Sequence, residues 1–396
     1  MRDRVLRTEA RQGSAEDPPA AGYPATDPGG DLWVEPGTTD ENTVQVAQRL
    51  GCLPEELLDF ASNINPLGTS LALRQLWRPA EAWRLLQAVQ RYPDPEYKLL
   101  RQTIAAARAI EGEGVILGNG SAELWGWVAQ ETVALGVERV LTLAPHPCGF
   151  NQALRTVGRS PVGVPSLWAD EEAVLAKVVA QAEGQPFALM VSNPHDPTGQ
   201  LYSRALWQQI LTLPNCALLM VDESLMDFCE PGASMLPEVM HYPNLVVVQS
   251  LTKFYAIPGL RIGFAAVAAP QGPRWQERQS PWNINTIAEQ AAVACLGDRE
   301  YQAATRLWLP PARDRLYRGL QQIPGLTPYT GAAHFLLVRC DRLARAWQES
   351  LLYRHRVLVK ESRSFVGLGD RHLRIAVRLL SEQDQLFAAL AEAKLG

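Results

Sequence analysis

The sequence predicts an α/β fold: a mainly parallel sheet in a large domain, with a smaller α/β domain after it. Three observations lead there. Short apolar runs at 115–117, 139–143, 187–191, 217–221, 245–248 and 263–267 alternate with helical stretches. These runs are nearly continuous in Val, Leu and Met, as in strands covered on both faces. The chain also carries 29 Gly and 29 Pro in 396 residues that are 47% hydrophobic, enough for many loops around one large core or two medium ones.

Taken in order, residues 1–45 are rich in Pro, Gly, Ala, Asp and Thr and lack periodic hydrophobicity, which reads as an N-terminal arm that cannot offset its own ordering entropy. The body is expected to begin near Thr43, where Val44, Val46, Ala47 and Leu50 mark a short amphipathic helix ended by Gly51. The loop Ala61–Gly68 follows. A second loop, Arg91–Tyr97, leads into a helix through Leu99, Ile104 and Ala107, with Pro95 suited to its first turn. The strands of the large domain then alternate with helices to about residue 290. Beyond Pro281-Trp282-Asn283 come a helix through Ala291, a second helix interrupted by Pro310-Pro311, and a smaller βαβ-type segment with a strand at 334–338. The expected divisions are therefore 1–45, 46–290 and 291–396. The tryptophans, Trp125 and Trp127 included, read as core and interface filler.

A net charge of −5, from 37 basic and 42 acidic residues without long blocks of either sign, advertises no nucleic-acid or anionic-membrane surface. A small molecule is the expected partner. Six cysteines show neither C-x-x-C pairing nor metal-ligand spacing, which points to a reducing cytoplasm and no metal. No apolar stretch reaches membrane-spanning length, and the early acids Asp3, Glu9, Glu16 and Asp17 do not suit a targeting peptide.

The chemistry centres on Lys253, just past the strand Leu245–Val248 and among Phe254, Tyr255 and Ile257. Burial lowers an amine's pKa and suits it to Schiff-base formation, although a lysine at a strand end can also be a solvated rim residue. Gly118-Asn119-Gly120-Ser121-Ala122-Glu123 follows one strand and opens a helix. Its backbone N–H groups and the Ser121 hydroxyl could hold a phosphate, or Ser121 could simply cap the helix. Asp222 ends an apolar strand, where a carboxylate needs a partner such as a protonated ring nitrogen, unless it caps a helix. Ser250 and Arg261 flank Lys253 and can both reach a phosphate ester. The loop Asn193–Gly199 is made rigid by two prolines, and its His195 reads as a turn residue rather than an acid–base group.

Taken together, the glycine turn at 118–123, the NPxxPTG loop at 193–199, Asp222-Glu223, Ser250-x-x-Lys253 and Arg261 resemble the fold type I pyridoxal-phosphate enzymes, the aspartate aminotransferase superfamily. Asp59-Phe60, Asn63–Gly68, Arg91–Asp94, Ser250–Arg261 and Pro281-Trp282 are similar to the threonine-phosphate decarboxylase branch of the histidinol-phosphate aminotransferase group, over roughly residues 43–392. The resemblance implies pyridoxal 5'-phosphate linked to Lys253, with Asp222 on the pyridinium. Gly120, Ser121, Ala122, Ser250 and Arg261 would take the cofactor phosphate. Tyr92 would reach the phosphate of a neighbouring subunit, implying a homodimer. Asn65, Lys360 and Arg374 would bind a small phosphorylated amino acid, Arg374 through its carboxylate.

Four positions depart from the pattern. Asp196 stands where the family usually has an asparagine that donates to the cofactor's phenolic oxygen, so it is expected either to be protonated or to raise the cofactor imine's pKa. Leu225 and Pro147 replace aromatic residues near the ring, and Lys360 replaces an arginine expected on the substrate phosphate. An N-terminal His-Gly-Gly segment is replaced by Thr39-Asp40-Glu41. Decarboxylation of threonine phosphate is the expected reaction, transamination of histidinol phosphate the alternative, and a degenerate binding protein the third reading.

Overall fold

The structure, a computed structural model, describes residues 42–230 and 232–393. The proposed arm up to residue 41, including Thr39-Asp40-Glu41, lies outside them. The described chain opens with helix Thr43–Leu50, capped by the Asn42 side chain and closed by Gly51 at φ 65°. Both ends match the expectation.

The large sheet has seven strands: β1 (Val115–Gly118), β2 (Arg139–Ala144), β3 (Val162–Pro165), β4 (Phe187–Ser192), β5 (Cys216–Asp222), β6 (Leu245–Ser250) and β7 (Gly263–Ala266). Their order across the sheet is β1-β7-β6-β5-β4-β2-β3, and every pair is parallel except those made by β7. Side chains of β4 and β6 are buried throughout, which explains their unbroken apolar sequence. The edge strand β3 went unread because its residues alternate in exposure and it contains Gly163 and ends at Pro165, both poor strand signals.

The smaller sheet comprises β8 (Leu326–Pro328), β9 (Phe335–Cys340), β10 (Lys360–Glu361) and β11 (His372–Ala376), in the order β8-β9-β11-β10 with antiparallel neighbours. Strands β9 and β10 point the same way on either side of β11, with helix Ala344–His355 crossing between them. The expected βαβ unit is thus split by β11. Two short ladders tie distant parts of the chain together. Leu58–Asp59 pairs in parallel with Val357–Leu358, and His146–Pro147 pairs antiparallel with Phe365–Val366.

Two local expectations are corrected. Helix Arg299–Gln321 runs unbroken through Pro310-Pro311, because Thr305, Leu309, Ala312, Leu316 and Leu320 are all buried along one face. That burial outweighs the loss of two ladder hydrogen bonds. Pro95 lies outside its helix, which starts at Lys98. There Asp94 accepts from the backbone N–H of Glu96 and Lys98, and Tyr97 turns the chain at φ 48°. Among the described residues no helix is long and apolar enough to cross a membrane, and no cluster of His, Cys, Asp and Glu could hold a metal ion.

Candidate active site

The C-terminal ends of β4, β5 and β6 deliver Ser192, Asp222 and Ser250 to one edge of the large sheet. Ligands of open α/β sheets bind at that edge. A cavity of about 650 Å³ opens there, lined by Lys253, Asp222, Ser192 and Asp196 from the large sheet's side. Lys360, Arg374, Arg363 and Phe365 line it from the smaller sheet's side, and Ala61–Ile64 from the N-terminal segment.

Lys253 sits at this edge because β6 ends at Ser250 and the chain turns at once. Ser250 Oγ lies 2.8 Å from Thr252 Oγ1, and the Asn65 backbone N–H donates to the Lys253 carbonyl at 3.0 Å. Burial lowers the Lys253 pKa, opposed by the charges of Asp222 and Asp196. The amine is thereby moved toward the neutral, nucleophilic form. Asp222 is raised by burial, with Lys253 and hydrogen bonds from Ser224 acting the other way. Ser224 donates from both its backbone N–H (2.9 Å) and its hydroxyl (2.5 Å) to Asp222 Oδ1, fixing the carboxyl group's orientation. In the sequence Ser224 reads only as a possible helix N-cap. Its position two residues past the strand end is the signal that marks an Asx-type turn.

The glycine turn is built for close approach. Gly120 has φ 84°, and a Cβ there would come within 2.2 Å of Arg261 Nη2, so no other residue fits without displacing that guanidinium. Ser121 begins helix Ser121–Ala134 and Ala122 lies in its first turn, next to the positive end of the helix dipole. Ser250 is paired with Gly263, and Gly263 with Gly118, so Ser250 and the turn lie at the same edge. Arg261 is exposed, with Nη1 donating to the Pro258 carbonyl at 3.2 Å.

On the substrate side the structure departs from expectation. Arg374 Nη1 donates to both oxygens of Asp196, at 2.8 and 2.9 Å, in a buried pair. Its Nη2 donates to the Ala61 carbonyl at 3.1 Å, and its Cζ lies 5.1 Å from the Phe335 ring centroid and 5.2 Å from that of Phe365. Asp196 therefore has a cation at hand, which neither alternative drawn from the sequence had included. Lys360 pairs directly opposite Arg374 across the ladder. Burial, then the charge of Arg374, pushes its pKa well down. The Asn65 amide does not line the cavity: it donates to the Phe254 carbonyl and to Thr305 Oγ1, both at 2.9 Å. Asn65 is therefore a framework residue that fixes the loop against the Lys253 turn, not a wall of the cavity.

Tyr92 is 79% exposed and stacks on Trp282 with ring centroids 4.4 Å apart, away from its own chain's cavity lining. His195 is buried, bonds Thr198 Oγ1 at 2.8 Å through Nδ1, and has its pKa lowered to about 4 by burial. It is a neutral turn histidine, as read. Leu225 packs in a buried cluster with Ala333 and Phe335. Trp125, read as filler, instead lines the cavity beside Pro147. Asp59 organises the loop that meets Arg374: its Oδ1 accepts from the N–H of Ala61 and of Ser62 at 2.8 and 2.9 Å.

A family model described as aminotransferase class I and II matches residues 55–390. The chain belongs to that family. It is 33% identical to the threonine-phosphate decarboxylase of Salmonella typhimurium, over 90% of this chain and 96% of that protein. It is 30% identical to a histidinol-phosphate aminotransferase of Pseudomonas aeruginosa, over 88% and 92% respectively. The solved histidinol-phosphate aminotransferase of Sinorhizobium meliloti, a complex with pyridoxal 5'-phosphate, has the same fold with a TM-score of 0.77, at 24% identity over 95% of this chain and 100% of that one. The fold is aspartate aminotransferase-like, and pyridoxal 5'-phosphate is the family's cofactor. The residues here fit it: a buried lysine, a buried carboxylate at a strand end, and a glycine turn that a Cβ would fill.

Proposed function

We propose that the protein is a homodimeric, cytoplasmic pyridoxal-phosphate enzyme that decarboxylates L-threonine O-3-phosphate to (R)-1-aminopropan-2-yl phosphate for cobalamin biosynthesis. The observation that carries this reading is the joint placement in one cavity of Lys253 and Asp222 with two cations of the smaller sheet, Lys360 and Arg374. When bound, the cofactor supplies an electron sink for the pair left as a bond at the substrate's α-carbon breaks. Asp222 would hold its ring nitrogen, and Gly120, Ser121, Ala122, Ser250 and Arg261 its phosphate, with Tyr92 reaching across from a second subunit. Asp196 would stand near its phenolic oxygen.

The chain's own groups then do the positioning and the proton work. Lys253, whose pKa burial lowers, would deliver a proton to the substrate's α-carbon as carbon dioxide leaves. Lys360 supplies a point charge for the substrate phosphate. The charge of an approaching anion opposes the lowering of its pKa by burial and favours the protonated lysine. Arg374 orients the carboxylate, and a displacement of about an ångström there decides which bond stands ready to break. The threonine-phosphate decarboxylase relative supports this substrate.

A second reading, transamination of histidinol phosphate, is favoured by relatives of that activity at similar identity. Product analysis of the cofactor-loaded protein with L-threonine O-3-phosphate separates the two. Carbon dioxide and an amino-alcohol phosphate are expected, whereas a keto product without carbon dioxide would replace decarboxylation by transamination. Loss of all response to amines would leave a binding protein. Light scattering tests the dimer: Tyr92 and Trp282, with exposed Trp83 and Leu86, are the apolar residues offered for the contact.

A further inference from the structure

We propose that Asp196 is an internal carboxylate that occupies Arg374 in place of a substrate's, and so sets how strongly the site prefers acids to their carboxylate-free counterparts. The inference rests on the substrate subsite described above and gives it a built-in competitor.

Asp196 is held through both its backbone and its side chain. Its backbone N–H donates to Ser192 Oγ at 2.9 Å, and its two oxygens share Arg374 Nη1. The other terminal nitrogen of Arg374 is also committed. Nη2 meets the Ala61 carbonyl, and with its amide turned, Asn63 accepts from Nη1 and Nη2 at 3.0 and 3.2 Å. Nε is buried and has no acceptor among the described residues, and the rings of Phe335 and Phe365 flank the guanidinium. A carboxylate entering the cavity therefore meets a fork that is already used. It must exchange with Asp196, and an exchange of one carboxylate for another gains little. A buried Asp196 that lost its cation would oppose it further. An asparagine at 196 would keep an oxygen facing Arg374 but remove the competing charge. The departure at this one position thus changes the value of every carboxylate the site is offered.

The test uses cofactor-loaded protein and two probes that lack an amine, 3-phosphonooxypropanoate and ethyl phosphate, titrated calorimetrically so that no reaction enters the reading. Wild-type protein is expected to bind the two within a few-fold. Asp196→Asn is expected to bind the acid more tightly than ethyl phosphate by about tenfold or more, the worth of a charge-assisted pair. That gain should vanish in Asp196→Asn combined with Arg374→Lys. A variant that gains nothing, including one that fails to bind the acid, overturns the proposal, as does a gain that survives the lysine. Should Asp196→Asn not fold, the wild-type ratio decides: a wild-type preference for the acid already at about tenfold contradicts an internal competitor. The proposed reaction stands or falls separately, on carbon dioxide release from threonine phosphate.

Discussion

The floor of the cavity and its substrate wall are supported differently. Asp222 and Ser250 end adjacent, paired strands of one sheet, and Lys253 lies in the turn just past Ser250. The wall is assembled from the paired strands β10 and β11, the loop at Ala61–Ile64 and Asp196 from the large sheet's side, and its central ion pair joins residues 178 positions apart. On the floor the side chains are where strand periodicity and short spacing put them. On the wall one carboxylate changes what an arginine has available. On the proposed reading the floor specifies the kind of chemistry, and the wall specifies which anion is admitted.

The largest effect that could break this division is at Lys253. Lys253→Ala should lower turnover by about 10³-fold or more, the scale of losing a positioned proton carrier, while the protein still folds, as near-normal circular dichroism would report. A variant retaining a tenth of the activity would remove Lys253 from the floor. Asp222→Ala should follow, with turnover reduced about 10²-fold and weakened cofactor retention measured by dialysis, since Ser224 loses its acceptor as well.

How far the sequence reached follows the same line. Sheet order aside, the strands and the floor residues could be read because buried parallel strands carry continuous apolar runs, and the chemistry sits at their ends. The edge strand Val162–Pro165 could not, since its exposed face and Pro165 imitate a loop. The continuity of helix Arg299–Gln321 through two prolines depends on burial that local propensity does not register. Asn65 was placed in the substrate site by motif resemblance, but its amide is used by Phe254 and Thr305, contacts across 189 and 240 residues that no local pattern encodes. The Asp196–Arg374 pair belongs to the same class. Both residues were singled out, and only their meeting was illegible.

Smaller effects sharpen the comparison. Gly120→Ala, which puts a Cβ against Arg261 in a positive-φ position, should weaken cofactor binding by about tenfold, read by absorbance titration, and leave the wall's affinity for ethyl phosphate nearly unchanged. Equal losses at both sites would mean the two regions are not separable.

A separate effect concerns stability. His146 and His195 are held neutral by burial, their pKa lowered from 6.5 to about 4, and His334 to about 3. Because the unfolded chain takes up protons first, each should cost stability as pH falls from about 6.5 toward about 4, at about 1.4 kcal/mol per pH unit when fully linked. Chemical denaturation across that window should show a falling midpoint, less steep in His334→Gln. A midpoint that rises toward pH 4 would contradict the sign.

The central claim is that Lys253 is the residue that takes the cofactor. Protein loaded with pyridoxal 5'-phosphate, reduced with borohydride and digested, should carry the cofactor's mass on the peptide containing Lys253 and lose it in Lys253→Ala. A label on another lysine, or none on a folded protein that has bound the cofactor, would contradict the account.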